Sequence, residues 1–200
     1  MTAPQVAVYL AGPDVFLPDP LGRAALLKAI CARHGLRGVS PLDALAGGDP
    51  ADWAGLPEAL RIARRNEAHI AGCAALIANL TPFRGPSADP GTVFELGYMR
   101  ALGRPVFGWS NSGARFADRT RAFLASWPAE AMTIEDFPGM ADNLMIDGAI
   151  HASGGRLVIR EVPEAVRWHD LTAFEAVAAL VREACASRSA GHRCVSGGRL

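Results

Sequence analysis

Two acidic residues, Asp89 and Glu95, stand at the start and in the second turn of one predicted helix. Glu95 is set among apolar neighbours, namely Val93, Phe94, Leu96, Tyr98 and Met99. A buried, ionised carboxylate is costly unless it is paired or functional. Two carboxylates in different surroundings can also hold different protonation states at one pH. Such a pair suits chemistry at a sugar carbon, where one group attacks and the other assists the leaving group.

Each of these two residues also has an ordinary structural explanation. Asp89 precedes Pro90 and can be a plain helix N-cap, although a capping aspartate can still contact a ligand. Glu95 can be a solvated glutamate on an exposed helix face. The local pattern leaves these explanations open.

The elements around this helix form a strand–loop–helix–strand unit. The apolar run 74–80 predicts a strand, and residues 83–88 form a loop rich in Gly, Pro and Ser. The helix then starts at Asp89 and Pro90. A further strand is predicted at 105–108, after the glycine that ends the helix.

A second group of candidate residues follows the first strand. Residues 6–11 are apolar without polar alternation, which is typical of a strand covered on both faces. In open α/β sheets, ligands bind beyond the carboxyl ends of the strands, where the strand order reverses. The loop that starts at Gly12 is therefore placed for substrate contact. In this loop, Asp14 is either a ligand contact or a turn former, and Phe16 either stacks on a ligand or packs in the core.

The rest of the chain alternates helices and strands. Helices are predicted over 23–33, 57–72, 114–126 and 163–186, a helix or short segment at 141–146, strands at 38–42 and 156–160, a loop or lid at 43–56, and a tail at 187–200. This alternation predicts an α/β fold, a doubly wound parallel sheet of about five strands flanked by helices. Residues 1–186 are expected to form one domain, followed by a flexible tail.

Composition argues against several classes of partner. Lys plus Arg and Asp plus Glu both number 20, so no basic excess indicates nucleic-acid binding, and a small neutral substrate is favoured. No apolar run approaches the roughly 20 residues that span a bilayer, and the N-terminus lacks the features of a signal peptide. We therefore expect a cytoplasmic protein without membrane contact.

No cofactor or metal is predicted. The chain has neither a GxGxxG nor a GxxxxGK[ST] motif. His69 has no second His or Cys at metal-ligand spacing, and the four cysteines form no CxxC pair.

Four sequence blocks, taken together, resemble the nucleoside 2-deoxyribosyltransferase family. They span about residues 5–150 in the family's order and read Tyr9-Leu10-Ala11-Gly12-Pro13, Ala78-Asn79-Leu80-Thr81-Pro82-Phe83-Arg84-Gly85-Pro86, Asp89-Pro90-Gly91-Thr92-Val93-Phe94-Glu95-Leu96-Gly97-Tyr98 and Asp142-Asn143-Leu144-Met145. The resemblance implies a flavodoxin-like fold and an enzyme that exchanges nucleobases on 2-deoxyribose with retention of configuration. It also implies a homo-oligomer built on dimers, for which a hexamer is one arrangement.

The resemblance assigns roles to five residues. Glu95 matches the nucleophile that forms a covalent deoxyribosyl ester, and Tyr9 matches the tyrosine that holds it by a hydrogen bond. Asp89 matches an aspartate that hydrogen-bonds the nucleobase. Asn143 and Met145 match a segment that completes the site of an adjacent subunit and contacts the sugar 5′-hydroxyl. The ordinary structural alternatives are a half-buried strand residue for Tyr9, an N-cap for Asn143 and a core residue for Met145.

One position departs from the family pattern. Gly72-Cys73 stands where many members have an Ala-Asp pair whose carboxylate contacts the base. Base recognition is then expected from Asp14, from the Arg84–Gly85 loop or from backbone amides.

Two other functions compete with base exchange. A hydrolase of the same architecture would split 2′-deoxynucleoside 5′-monophosphates with water, but the Asn143 segment suits an uncharged 5′-hydroxyl better. A non-catalytic nucleotide-binding module would have no need to retain Tyr9, Asp89 and an embedded Glu95.

Overall fold

The computed structural model of the protein describes residues 5–125 and 133–195. Its main elements are β1 (Val6–Ala11), α1 (Pro20–Arg33), β2 (Leu36–Val39), α2 (Glu58–Gly72), β3 (Ala75–Asn79), α3 (Pro90–Ala101), β4 (Val106–Ser110), α4 (Phe116–Leu124), α5 (Leu144–Ala152), β5 (Leu157–Ile159) and α6 (Thr172–Val195). Short 3₁₀ turns occur at Pro13–Phe16, Ala51–Trp53 and Glu164–Val166.

The five strands form one parallel sheet in the order β2-β1-β3-β4-β5. This is the flavodoxin-like order, so the predicted fold class is confirmed. The order reverses between β1 and β3, where Tyr9 lies beside Leu76 in register. The carboxyl ends of these two strands therefore frame the crevice in which a ligand of such a sheet is expected.

The sheet is covered on both faces by helices. Val8 and Leu10 of β1 pack with residues of α1 and α6, whereas Tyr9 and Ala11 pack on the side of α2, α3 and α5. Alternate residues of a strand point to opposite faces, so the continuous apolar run of β1 serves two cores. Tyr9 is consequently directed towards the helix that carries Glu95.

The α3 helix begins where the sequence predicts. The Asp89 side chain accepts from the Thr92 amide, and Pro90 occupies the first turn. Gly103, with a positive φ of 71°, follows the helix and turns the chain towards β4. The predicted strand–loop–helix–strand unit is thus confirmed.

Several predicted boundaries were wrong. The second strand is Leu36–Val39 rather than 38–42, because Gly35 turns the chain at φ 70° and Leu36 already pairs with Val6. Helix α1 starts three residues earlier than predicted, at Pro20, since the Asp19 side chain caps it.

The last helix is shifted towards the C-terminus. It covers Thr172–Val195 rather than 163–186, and residues 164–166 form a separate 3₁₀ turn. The flexible tail predicted for 187–200 stays a prediction, and residues 196–200 lie outside the described part of the chain. Within the described part of the chain, no helix is long and apolar enough to cross a membrane.

Candidate active site

The Tyr9 hydroxyl donates a hydrogen bond of 2.6 Å to Oε1 of Glu95. Tyr9 is fully buried in the sheet, and Glu95 is partly buried on α3. Burial, together with the nearby charge of Asp89, raises the pKa of Glu95 to about 7, against the lowering effect of the Tyr9 hydrogen bond. Burial and the nearby Glu95 hold the pKa of Tyr9 far above its ordinary value, so the phenol remains a donor. The pair is therefore a held carboxylate that keeps its proton to a higher pH than an ordinary glutamate.

Asn66 of α2 is a neighbour of Glu95 that sequence reasoning missed. Its Nδ2 lies 3.5 Å from the same Glu95 Oε1, at the long limit of a hydrogen bond. Its Oδ1 is buried and accepts from no other described residue. A signal was present, because Asn66 lies one helical turn before the buried Ile70 and so falls on the inward face of α2.

Asp89 combines a structural contact with access to a cavity. Its Oδ2 accepts from the Thr92 amide at 3.0 Å and from the Thr92 hydroxyl at 3.1 Å. Asp89 also lines a cavity of about 470 Å³ formed by residues 83–91, at the carboxyl end of β3. The N-cap interpretation is correct, and it does not remove Asp89 from the candidate site.

The loop after β1 is fixed by a buried ion pair. Asp14 accepts from Nε of Arg23 at 2.7 Å through one oxygen and from Nδ2 of Asn79 at 2.8 Å through the other. Gly12 lies so close to this cluster that a Cβ there would be 2.6 Å from Asp14 Oδ2 and 2.7 Å from the Asn79 Cβ. Arg23 and Asn79 were not among the predicted site residues. The substrate contact predicted for Gly12 and Asp14 stays a prediction, while their structural role in shaping the loop is evident.

Aromatic and guanidinium groups stack at the mouth of the crevice. The rings of Phe16 and Phe83 stack with centroids 5.5 Å apart, and Trp168 packs edge-on against Phe83. The Arg84 guanidinium lies 4.8 Å from the Phe16 centroid and 4.6 Å from that of Phe83. Phe16 is 54% exposed, so the alternative of a core phenylalanine was wrong. Aromatic rings and a guanidinium plane are groups that can stack on a planar ligand.

Arg84 adopts a backbone conformation that few non-glycine residues share. Its φ of 56° lies in the left-handed region. This conformation occurs in the loop that joins β3 to α3, directly beside the cavity. Such strain is concentrated at binding and catalytic loops, which agrees with the predicted role of Arg84 in substrate binding.

Asn143 and Met145 lie away from Glu95 within one chain. The Asn143 side chain caps α5 by accepting from the Met145 amide, and its Nδ2 donates to Glu135 at 2.7 Å. Met145 is 72% exposed, so the core alternative was wrong. Both residues line a groove of about 860 Å³ between α3 and α5.

The groove faces the side of α3 that is opposite Glu95. Val93 and Gly97 line it, and each lies two residues from Glu95 along the helix. Two residues correspond to roughly 200° around an α-helix. A single chain therefore brings together Tyr9, Glu95 and Asn66 but not the Asn143 segment.

Cys73, at the position where the family pattern often has an aspartate, is a core residue. It is buried at the end of α2, and burial raises the pKa of its thiol to about 11. The thiol is thus protonated at neutral pH and packs among apolar groups. It replaces no carboxylate function.

Asp89 and Glu95 both lie on the helix that follows β3, and Tyr9 links Glu95 to β1, so the two carboxylates are near the point where the strand order reverses. The family model described as nucleoside 2-deoxyribosyltransferase matches residues 8–145. The chain therefore belongs to the nucleoside 2-deoxyribosyltransferase family. The resemblance of its four sequence blocks to that family is confirmed.

The chain is also similar to individual known proteins. The chain is 32% identical over 170 residues to an uncharacterized protein of Schizosaccharomyces pombe, covering 76% of this chain and 80% of the relative. It is 31% identical to the 2-desoxiribosyltransferase from Leishmania mexicana, with a TM-score of 0.55, covering 70% of this chain and 85% of that structure. A CMP N-glycosidase of Clostridium botulinum is matched at 13% identity with a TM-score of 0.44, covering 81% of this chain and 93% of that one.

Proposed function

We propose that the protein is a nucleoside 2-deoxyribosyltransferase that moves 2-deoxyribose from one nucleobase to another. The observation that carries this proposal is the 2.6 Å hydrogen bond from the buried Tyr9 to Oε1 of the partly buried Glu95, on the helix that follows β3. A carboxylate that is partly desolvated and held by a single strong donor is equipped to attack carbon. The substrates are then a 2′-deoxynucleoside and a free nucleobase.

In the first half-reaction, the ionised Glu95 attacks C1′ of the sugar from the face opposite the base. A C1′–O bond forms, the C1′–N bond breaks, and its electron pair leaves with the base. Asp89, in its protonated form, donates a proton to the departing base. The product is a deoxyribosyl ester of Glu95 together with a neutral free base.

In the second half-reaction, an incoming base attacks C1′ from the vacated side. The ester bond breaks, Glu95 regains its negative charge, and Asp89 takes up the proton that the incoming base loses. Two inversions restore the original configuration at C1′. Phe16 and Arg84 supply stacking surfaces on which either base can lie.

The experiment that tests the proposal offers a 2′-deoxynucleoside together with a second free base. The expected result is the swapped nucleoside, detected by chromatography, and a mass gain of one deoxyribosyl group on the peptide that contains Glu95. Free base with sugar or sugar phosphate as the only products, from the nucleoside or from its 5′-monophosphate assayed in parallel, would instead support the hydrolase alternative. Neither product, in a folded protein, would support the binding-module alternative.

We further propose that the active unit is at least a dimer, with Asn143 and Met145 completing the partner subunit's site. This is supported by their position on the far side of α3 from Glu95, together with the exposure of Met145. Mixing inactive Glu95→Gln and Asn143→Ala subunits tests the idea. Half of the dimers would be mixed and each would carry one intact site of two, so about a quarter of wild-type activity should return. No recovery after verified subunit exchange would contradict the shared site.

A further inference from the structure

Asp142 is a buried carboxylate that the proposed reaction does not yet use. Only 2% of the residue is exposed. Its Oδ1 accepts from the Ser87 hydroxyl and from the Asn143 amide, the latter at 2.8 Å, and its Oδ2 accepts from the Ala88 amide at 2.9 Å. The Asp142 side chain thus links residues 87–88 to the start of α5 at residues 142–143.

Arg119 of α4 completes this arrangement. Its Nη2 lies 3.6 Å from Asp142 Oδ2 and donates to the Ala141 carbonyl at 2.7 Å, while its Nε donates to the Pro86 carbonyl at 2.7 Å. The guanidinium therefore contacts the same two segments as Asp142 and compensates its charge. Because an isolated buried carboxylate is costly, the residue is explained by what it holds in place.

The two segments are those that carry the remaining site residues. Ala88, which Asp142 holds, immediately precedes Asp89. Asn143, whose amide Asp142 also holds, begins α5. The main-chain amide of Asp142 is itself fixed by Asp147 at 2.9 Å, so the carboxylate projects from a rigid helix start.

We propose that Asp142 is a positioning residue for base departure, because its carboxylate holds the Ser87–Ala88 segment and thereby places Asp89 against the base. This inference rests on the proposed function. Asp142 acts through Asp89 and does not contact the substrate. Its loss should therefore reproduce the catalytic defect caused by loss of Asp89.

The test compares two donor nucleosides that differ in their need for a proton. An ordinary purine 2′-deoxynucleoside requires protonation of the leaving base, whereas its N7-methylated analogue already carries a positive charge on the base and departs without one. For Asp142→Ala we expect kcat/KM to fall about 30-fold with the ordinary donor and less than about 3-fold with the methylated one. The same substitution in an Asp89→Ala background should cost less than about 2-fold more, because the two residues act as a unit.

Two further variants separate positioning from general damage to the fold. Asp142→Asn keeps an oxygen for the Ala88 amide and can donate to the Ser87 hydroxyl, although it can no longer accept from the Asn143 main-chain amide, so it should recover part of the lost activity with the ordinary donor. Val181→Ala removes buried volume from α6, on the other side of the sheet, and should leave the ratio between the two donors unchanged. Amide exchange at Ala88 should accelerate in Asp142→Ala and not in Val181→Ala.

The possible outcomes distinguish this inference from the proposed function. An active wild-type protein in which Asp142→Ala loses activity equally with both donors would overturn the positioning role and leave the function intact. Additive losses in the double variant would also overturn it. A folded wild-type protein that processes neither donor would overturn the proposed function, and with it the role of Asp142.

Discussion

Replacing Glu95 by glutamine should abolish base exchange and, at the same time, stabilise the protein at alkaline pH. Burial raises the pKa of Glu95 from 4.5 to about 7. At 1.36 kcal/mol for each tenfold change in an ionisation constant, this pKa shift corresponds to a loss of about 3 kcal/mol in the free energy of unfolding when Glu95 is ionised. The value is an upper limit, because Glu95 retains some exposure and solvent screens its charge.

The sign follows from which state binds the proton more tightly. Below pH 4.5 the carboxyl is protonated in both the folded and the unfolded protein, and the stabilising contribution of the proton is fully present. Between 4.5 and about 7 the unfolded chain ionises first, so the free energy of unfolding falls as the pH rises. Above about pH 7 both states are ionised and that contribution has been lost. Above about pH 7 the wild-type protein therefore carries the cost of a buried charge.

Urea unfolding at fixed protein concentration, followed by tryptophan fluorescence at pH 5, 6, 7 and 8, measures this cost. Glu95→Gln should be about 1–3 kcal/mol more stable than wild type at pH 8, with little difference at pH 5, while kcat falls by a factor of about 10³ or more. Glu164→Gln is the matched control, because Glu164 is exposed and its replacement should leave the pH dependence unchanged. Equal slopes for wild type and Glu95→Gln would refute the desolvation argument.

Three further substitutions test neighbouring parts of the site. Tyr9→Phe removes the hydrogen bond that lowers the pKa of Glu95, so kcat/KM should fall about 10- to 100-fold. The midpoint of the pH profile of kcat/KM, expected near 7 in wild type, should move upwards. An unshifted midpoint would contradict this role of Tyr9. Asp89→Asn keeps a capping oxygen, so the free energy of unfolding should change by less than about 0.5 kcal/mol. It cannot supply the proton, so activity should drop about 100-fold. Asp89→Ala loses the cap as well and should cost about 1 kcal/mol of stability in thermal unfolding. Arg23→Met leaves the buried Asp14 carboxylate without its cation and should cost about 3–5 kcal/mol in urea unfolding, and a loss below about 1 kcal/mol would show that Arg23 is dispensable.

The sequence was most informative where a short stretch of neighbouring residues carries the signal. Runs of apolar residues predicted β1, β3 and β4. A parallel strand that is covered on both faces has apolar residues on both sides, so it appears in the sequence as a continuous apolar run. Asp89 and Pro90 predicted the start of α3 because capping is a local interaction. Glu95 stood out because its neighbours are apolar, and the structure places it against Tyr9 as the resemblance implied.

Contacts between distant segments could not be read from the sequence in this way. Asn66 and Asp142 look like ordinary helix polar residues until the fold brings α2 beside α3 and the start of α5 beside the β3–α3 loop. The ion pair between Asp14 and Arg23 joins residues nine positions apart, across a turn whose geometry depends on the close approach of Gly12 to Asn79.

The two sides of helix α3 face different surroundings. The side that carries Glu95 faces Tyr9 and the sheet, and the side that carries Val93 and Gly97 faces the open groove beside Asn143. A Cβ built at Gly97 has no atom within 4 Å outside its own stretch of helix, so the groove leaves space at this position. If a partner subunit fills the groove, Gly97→Leu should weaken association, measured by sedimentation, and reduce exchange without unfolding the subunit. Unchanged association and activity would show that the groove stays open in the working enzyme.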